Sequence, residues 1–313
     1  MDLQVRRAAE VSAAASPAIH TTGLTKVYSG HAALAGLDMT VPPSEVFGFL
    51  GPNGAGKTTA VKLLLGLVGQ TSGEAWILGR PPRQSASRRR VGYLPELFRY
   101  QSWLAADELL ALHCELSGLE RWRWADEIRR TLSAVKLSER TRDRVGTFSK
   151  GMQQRLGLAV ALIGEPELIL LDEPTSALDP IGRHDVRELI HHLRQRGTTV
   201  FLNSHLLTEV EMVCDRVAMV DRGQVIATGT LDELLGQHSC RFRISGLGPS
   251  ERSSLAAAAD LRDDGEWITI GNLEPDQVPS VVQRVVELGG RVYAVEPRRQ
   301  SLEERFMEVL GRP

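Results

Sequence analysis

Nine residues, Gly51-Pro52-Asn53-Gly54-Ala55-Gly56-Lys57-Thr58-Thr59, constrain this chain more than any others. They fit the phosphate-loop pattern G-x-x-x-x-G-K-[ST], and their flanks supply the context the pattern requires. The apolar run Val46–Leu50 ahead of them reads as a short buried strand. Behind them Val61, Leu64, Leu65 and Val68 fall at helical spacing. In a strand–loop–helix unit, glycines let successive backbone N–H groups point at phosphate oxygens with no Cβ in the way. The helix N-terminus adds its positive end. Lys57 can reach the outer phosphates and Thr58 can offer its hydroxyl to magnesium. A chance glycine turn has no reason to carry the lysine and tandem threonines on these flanks.

The chain is 313 residues long, room for one large domain and a smaller one. Its net charge of −2 gives no basic field for nucleic acid, so no nucleic-acid partner is expected. Cys114, Cys214 and Cys240 lack CxxC spacing and a shared histidine cluster, so neither a metal cluster nor a disulfide framework is indicated. No apolar run approaches the ~18 residues that span a bilayer, so any spanning is left to another chain. Residues 1–18, rich in Ala and Ser, read as a disordered extension.

Along the chain, strands are expected over Ile19–Tyr28, Ala33–Val41 and Ser72–Gly79, with a short one over Val91–Glu96 that ends in proline. From Ala105 to about Leu137 the pattern is helical, an insertion between two stretches of α/β character. Within it, Arg121-Trp122-Arg123-Trp124 reads as a helix turn with one Trp packed and the rest solvated. Arg88-Arg89-Arg90 reads as a solvated turn. Leu168–Glu173 is a continuous apolar run ending in two acids, as in a parallel strand buried on both faces. Strands over Thr198–Leu202, Arg216–Val220 and Gln224–Thr230 close a domain spanning 19–235. From 236 to 313 the order βαββαβ suggests a small ferredoxin-like α+β unit, with a helix over Ser250–Ala258, a turn at Asp264-Gly265 and a last helix over Leu302–Leu310.

A nucleotide hydrolase needs one acid to hold magnesium and another to orient water. Asp172 would face the metal beside Thr58, with Glu173 one residue further out toward the γ-phosphate. Paired acids at a buried strand end are poor structure unless a cation or hydrogen bonds compensate. His205 follows the next buried strand at the same sheet edge, where it suits a γ-phosphate contact better than a solvated loop position.

In order and spacing these motifs resemble the ATP-binding subunits of ABC transporters, over about Ile19 to Thr230. Gly51–Thr59 is similar to the Walker A motif and Leu168–Glu173 to Walker B with its catalytic glutamate. Ser176-Ala177-Leu178-Asp179 resembles the D-loop and His205 the switch histidine. Phe148-Ser149-Lys150-Gly151-Met152 resembles the signature motif, and Tyr28 the aromatic that stacks on adenine. Two departures stand out. Lys150 and Met152 replace a glycine and the glutamine of Leu-Ser-Gly-Gly-Gln, and Glu96 stands where the family has its Q-loop glutamine. Both look like the ABC-2-type exporter subgroup, similar to drug-resistance and sodium-efflux ATPases.

The resemblance implies a P-loop NTPase with a RecA-like core, an N-terminal β-subdomain and a helical insertion at about 97–160. It implies ATP and Mg2+ as ligands, with Thr58, Glu96 and Asp172 at the metal, and Glu173 and His205 as catalytic residues. Ser149 and Gly151 would close over ATP held by a second copy, head to tail, with Ser176 and Asp179 at the dimer contact. Transmembrane permease subunits and a peripheral place on the cytoplasmic face of the membrane follow from the same likeness. The alternative, a soluble ABC ATPase of translation or DNA repair, usually carries two ATPase halves or long coiled coils. This chain has one phosphate loop and no heptad run.

Overall fold

The structure is a computed structural model that describes residues 16–235, 239–248, 251, 261–263, 265–271, 273, 275–298 and 300–311. Most of the expected 1–18 extension, nearly all of the Ser250–Ala258 helix and Asp264 therefore lie outside the described residues. The chain divides into two compact units, one ending at Thr228 and one beginning at Gly229.

The first unit opens with β1 (Ile19–Tyr28), β2 (His31–Val41), β3 (Val46–Leu50), α1 (Lys57–Leu64), β4 (Ser72–Ile77), α2 (Ser85–Arg88) and β5 (Val91–Leu94). Two helices of the insertion follow, α3 (Ala106–Leu116) and α4 (Trp124–Ala134), then α5 (Lys150–Ala161). It continues with β6 (Leu168–Asp172), α6 (Pro180–Gln195), β7 (Thr199–Asn203), α7 (Leu207–Val213), β8 (Arg216–Asp221) and β9 (Gln224–Thr230).

Strands β2, β1 and β4 form a small antiparallel sheet in that order. The larger sheet runs β5-β6-β7-β3-β8-β9, parallel from β5 to β8. Every residue of β3, β6 and β7 is buried, which is why these strands read as unbroken apolar runs. Phe201 stacks on Phe47 and tilts against Phe49, at 6.0 and 5.2 Å between ring centres. Because β6, β7 and β3 are parallel neighbours, the segments leaving their C-terminal ends share one edge of the sheet.

The helical pattern expected as one stretch over Ala105–Leu137 is two helices. Gly118 takes φ 74°, and its N–H and that of Leu119 donate back to Glu115 and Cys114 carbonyls. That left-handed cap ends α3 where a side chain would be strained. Arg121–Arg123 form a single 3-10 turn, with Trp122 exposed and Trp124 Nε1 donating to Leu119 O. The insertion is tied down by Glu127, whose carboxylate accepts from Arg130 and from Gly164 N–H, while Arg130 also donates to Leu162 O.

The second unit contains α8 (Leu231–Leu235), β10 (Ser239–Ser245), β11 (Leu261–Asp263), β12 (Trp267–Ile270), α9 (Val278–Glu287), β13 (Arg291–Arg298) and α10 (Leu302–Val309). Its strands are antiparallel in the order β11-β12-β10-β13, the order a βαββαβ ferredoxin-like run produces. Cys240, Phe242 and Ile244 alternate inward on β10 against Ile268, Ile270 and Val285. All three cysteines are free and buried. Among the described residues no helix is long and apolar enough to cross a membrane.

Candidate functional site

The phosphate loop leaves β3 at Leu50 and enters α1 at Lys57. Gly56 caps that helix at φ 100° and Gly54 sits at φ 86°. A β-carbon on Gly51 would lie 2.3 Å from Val220 O, and one on Gly56 2.3 Å from Ala33 O. The loop is thus pressed between β8 and β2 with no space for side chains at these points. Ala55 is buried, its N–H on Pro52 O and its carbonyl accepting from Gly223 N–H. Asn53, Gly54 and Thr58 are exposed, and Thr59 is half-buried. Lys57 Nζ donates to Gly51 O at 2.7 Å and Pro52 O at 3.3 Å.

At the same sheet edge β6 delivers Asp172 and Glu173, both buried. Asp172 Oδ1 accepts from Asn203 Nδ2 at 2.5 Å, and the two residues are directly opposite in the β6–β7 register. Glu173 takes φ 53°, and its N–H donates to Asn203 O at 2.9 Å. Its Oε1 accepts the backbone N–H of His205 at 2.9 Å, and its Oε2 lies 2.8 Å from His205 Nδ1. The His205 side chain is exposed, so it presents an imidazole to solvent beside a buried carboxylate. Glu96 leaves the end of β5 and is exposed.

The charges of this cluster act on one another. Burial pushes the Asp172 carboxyl above its ordinary range, and Glu96 and Glu173 push the same way, while the Asn203 bond and Lys57 oppose them. Burial lowers Lys57, against the pull of Glu173, Asp172 and Glu96. The Tyr93 phenol is pushed up to about 12, first by burial and then by Asp172 and Glu96. A buried acid pair facing a single lysine is a place where added positive charge is stabilised. Among the described residues no group of three or more His, Cys, Asp or Glu could hold a metal alone. A threonine hydroxyl with one carboxylate does suit magnesium, which takes one or two carboxylates together with substrate phosphates.

Ser149 caps α5, its Oγ accepting from Met152 N–H at 3.2 Å. With Gly151 it lines a cleft shared with Ala177, Leu178 and Asp179. Asp179 in turn caps α6, accepting from Gly182 N–H at 2.7 Å, and Ser176 Oγ donates to Glu173 O at 3.1 Å. Tyr28 ends β1, 44% exposed, with Lys26 Nζ 4.8 Å from its ring centre. One cluster therefore unites the phosphate loop with Asp172, Glu173 and His205. Ser149 and Gly151 open onto another surface of the same chain with Asp179.

Two further residues take part that no motif marks. Asn203 carries one local signal, a polar residue closing an apolar strand. Gln154 donates its buried amide to Glu173 O and Pro174 O at 3.2 and 3.1 Å. Its only sequence signal was a glutamine on a helix rich in apolar residues.

The family profile described as ABC transporter matches residues 34–176. The chain is 40% identical over 305 residues to the bacitracin transport ATP-binding protein BcrA of Bacillus licheniformis, covering 95% of this chain and 98% of that protein. It is 34% identical over 302 residues to the Nod factor export ATP-binding protein I of Rhizobium sp. (strain N33), covering 94% and 97%. The solved structure of an ATP-binding subunit of an ABC transporter superposes with a TM-score of 0.65 at 29% identity, covering 69% of this chain and 91% of that one. A dimeric ATP-binding cassette bound to ADP and Pi shares the fold, with a TM-score of 0.63 at 23% identity over 68% of this chain and 99% of that one. The phosphate loop, the acid pair and the full-length likeness converge: the chain belongs to the ATP-binding proteins of ABC transporters, ATPases that bind and hydrolyse ATP to drive transport and that dimerise and work with transmembrane partners.

Proposed function

We propose that this ATPase powers export through a separate ABC-2-type permease, from the cytoplasmic face of the membrane. The observation that carries the reading is the gathering of Lys57, Asp172, Glu173 and His205 at one sheet edge beside the Gly51–Thr59 loop. Relatives whose names denote bacitracin transport, Nod factor export and linearmycin resistance support an exporter.

In this reading Gly51–Thr59 cradles the phosphates of ATP, Lys57 neutralises the outer ones and Tyr28 stacks on the adenine. Thr58, Asp172 and Glu96 would hold magnesium, which when bound offsets charge on the phosphate oxygens. Glu173 orients the attacking water and takes its proton, and His205 contacts the γ-phosphate. Two copies pair head to tail as a homodimer, so that Ser149, Gly151 and the N-terminus of α5 from one copy close over the nucleotide of the other. Ser176 and Asp179 lie at that contact. The helical insertion and the Glu96 segment grip the permease, so dimer closure is transmitted to the membrane.

The test is Glu173→Gln in the full chain. We expect an ATP-bound dimer to accumulate on gel filtration while turnover falls by two to four orders of magnitude, about the contribution of a general base. Hydrolysis at the wild-type rate would remove Glu173 from the role of base. Co-purification of a multi-helix membrane protein checks the permease assignment, and a chain found only free of membranes would count against it.

A further inference from the structure

We infer that Asn203 is a positioning residue, which sets the Asp172 carboxylate in place for the metal. This rests on the proposed reading of Asp172 as a magnesium ligand.

Strand β7 is buried along its whole length, and Val200, Phe201 and Leu202 are at most 2% exposed. Asn203 closes this strand at 3% exposure. Its neighbours in register are Asp172 on β6 and Phe49 on β3. A leucine shares the branched outline of asparagine and would suit such a strand without desolvating an amide. The asparagine must therefore be explained by what its amide does. Its Nδ2 donates to Asp172 Oδ1 at 2.5 Å, and that is the one hydrogen bond of the Asp172 side chain among the described residues. The amide orientation follows from charge, since an amide oxygen turned toward a carboxylate would be repelled. Asn203 Oδ1 is buried and has no hydrogen-bond partner among the described residues. The amide thus gives up hydration at both ends for one charge-assisted bond.

That bond constrains the carboxylate. With Oδ1 held, rotation of the Asp172 carboxyl group is fixed and Oδ2 is left for the cation. A ligand oriented in advance loses less freedom on binding, and outer partners of this kind typically contribute 10–100-fold to metal affinity. Asn203 also presents its backbone carbonyl to Glu173 N–H, so one residue braces both acids.

The experiment titrates the full chain with a fluorescent ATP analogue, with and without magnesium, for wild type, Asn203→Ala, the similarly branched but apolar Asn203→Leu, and Asp172→Asn. We expect both Asn203 variants to keep the metal-free affinity. The gain in affinity that magnesium brings should fall about tenfold, with the magnesium midpoint moved up accordingly. A variant that is folded by circular dichroism and shows the wild-type magnesium midpoint overturns the inference. The Asp172→Asn arm separates the two levels. Loss of the magnesium gain in Asp172→Asn alone sinks only the role of Asn203, whereas its retention in Asp172→Asn sinks the metal assignment on which that role rests.

Discussion

Gln154 sits about one turn into α5, the helix that Ser149 caps, and its buried amide donates to the carbonyls of Glu173 and Pro174. Glu173 holds a left-handed backbone conformation that a side chain adopts only at a cost. The Gln154 amide, the Asn203 carbonyl and the His205 N–H over-determine that conformation. The helix proposed to touch one nucleotide is thereby bonded, within the same chain, to the glutamate proposed to act on another.

Gln154→Ala should therefore slow turnover far more than it weakens nucleotide binding. Two buried carbonyls lose a donor, at about 1–3 kcal/mol of stability each. Steady-state kinetics should show kcat falling at least tenfold with KM for ATP nearly unchanged. Equal effects on both would indicate that the bond does not position Glu173.

Gly56→Ala tests the loop geometry. At φ 100°, with Ala33 O where a β-carbon would stand, the substitution forces the loop away from β2. Binding of ATP should be lost while the remaining fold persists. Nucleotide titration beside circular dichroism reads both.

Glu127 is buried and paired with the partly buried Arg130. Burial works against the Glu127 carboxylate, but Arg130 and the Gly164 N–H outweigh it and hold the group below its ordinary value. Glu127→Ala leaves the Arg130 charge without its partner and should destabilise the chain by about 3 kcal/mol in chemical denaturation. A lowered carboxyl contributes stability above its unfolded value of 4.5 and loses it as pH falls through the folded value. The wild-type advantage over Glu127→Gln should shrink in acid accordingly.

Asp172 behaves in the opposite sense. Its carboxyl is raised, so the folded state binds that proton more tightly than the unfolded one. Its contribution is most favourable below the unfolded value of 3.8 and declines as pH rises through the folded value. Asp172→Asn should raise the thermal midpoint at neutral pH in the absence of nucleotide, and the gain should vanish in acid. An unchanged midpoint at neutral pH would show that burial of this acid costs the fold nothing.

Much of this was written locally. The phosphate loop, the buried strands β3, β6 and β7 and the acids at the end of β6 are legible because each rests on a few adjacent residues. An apolar run, a glycine pattern and a polar residue at a strand end are short-range signals. The break at Gly118 is hidden in the pattern because helical periodicity continues on both sides of it, and a left-handed cap and a 3-10 turn divide α3 from α4. Helix α8 lies within the 19–235 range expected for the first domain, yet it falls in the second compact unit, where it packs with α10. The sequence by itself marked the residues proposed to meet phosphate and magnesium, through side-chain chemistry and spacing within single elements. Tertiary structure alone decided that Asn203 braces Asp172 and that Gln154 holds Glu173. Those contacts join residues 31 and 19 positions apart, and they depend on strand register and on the face that α5 turns inward, which no local pattern encodes.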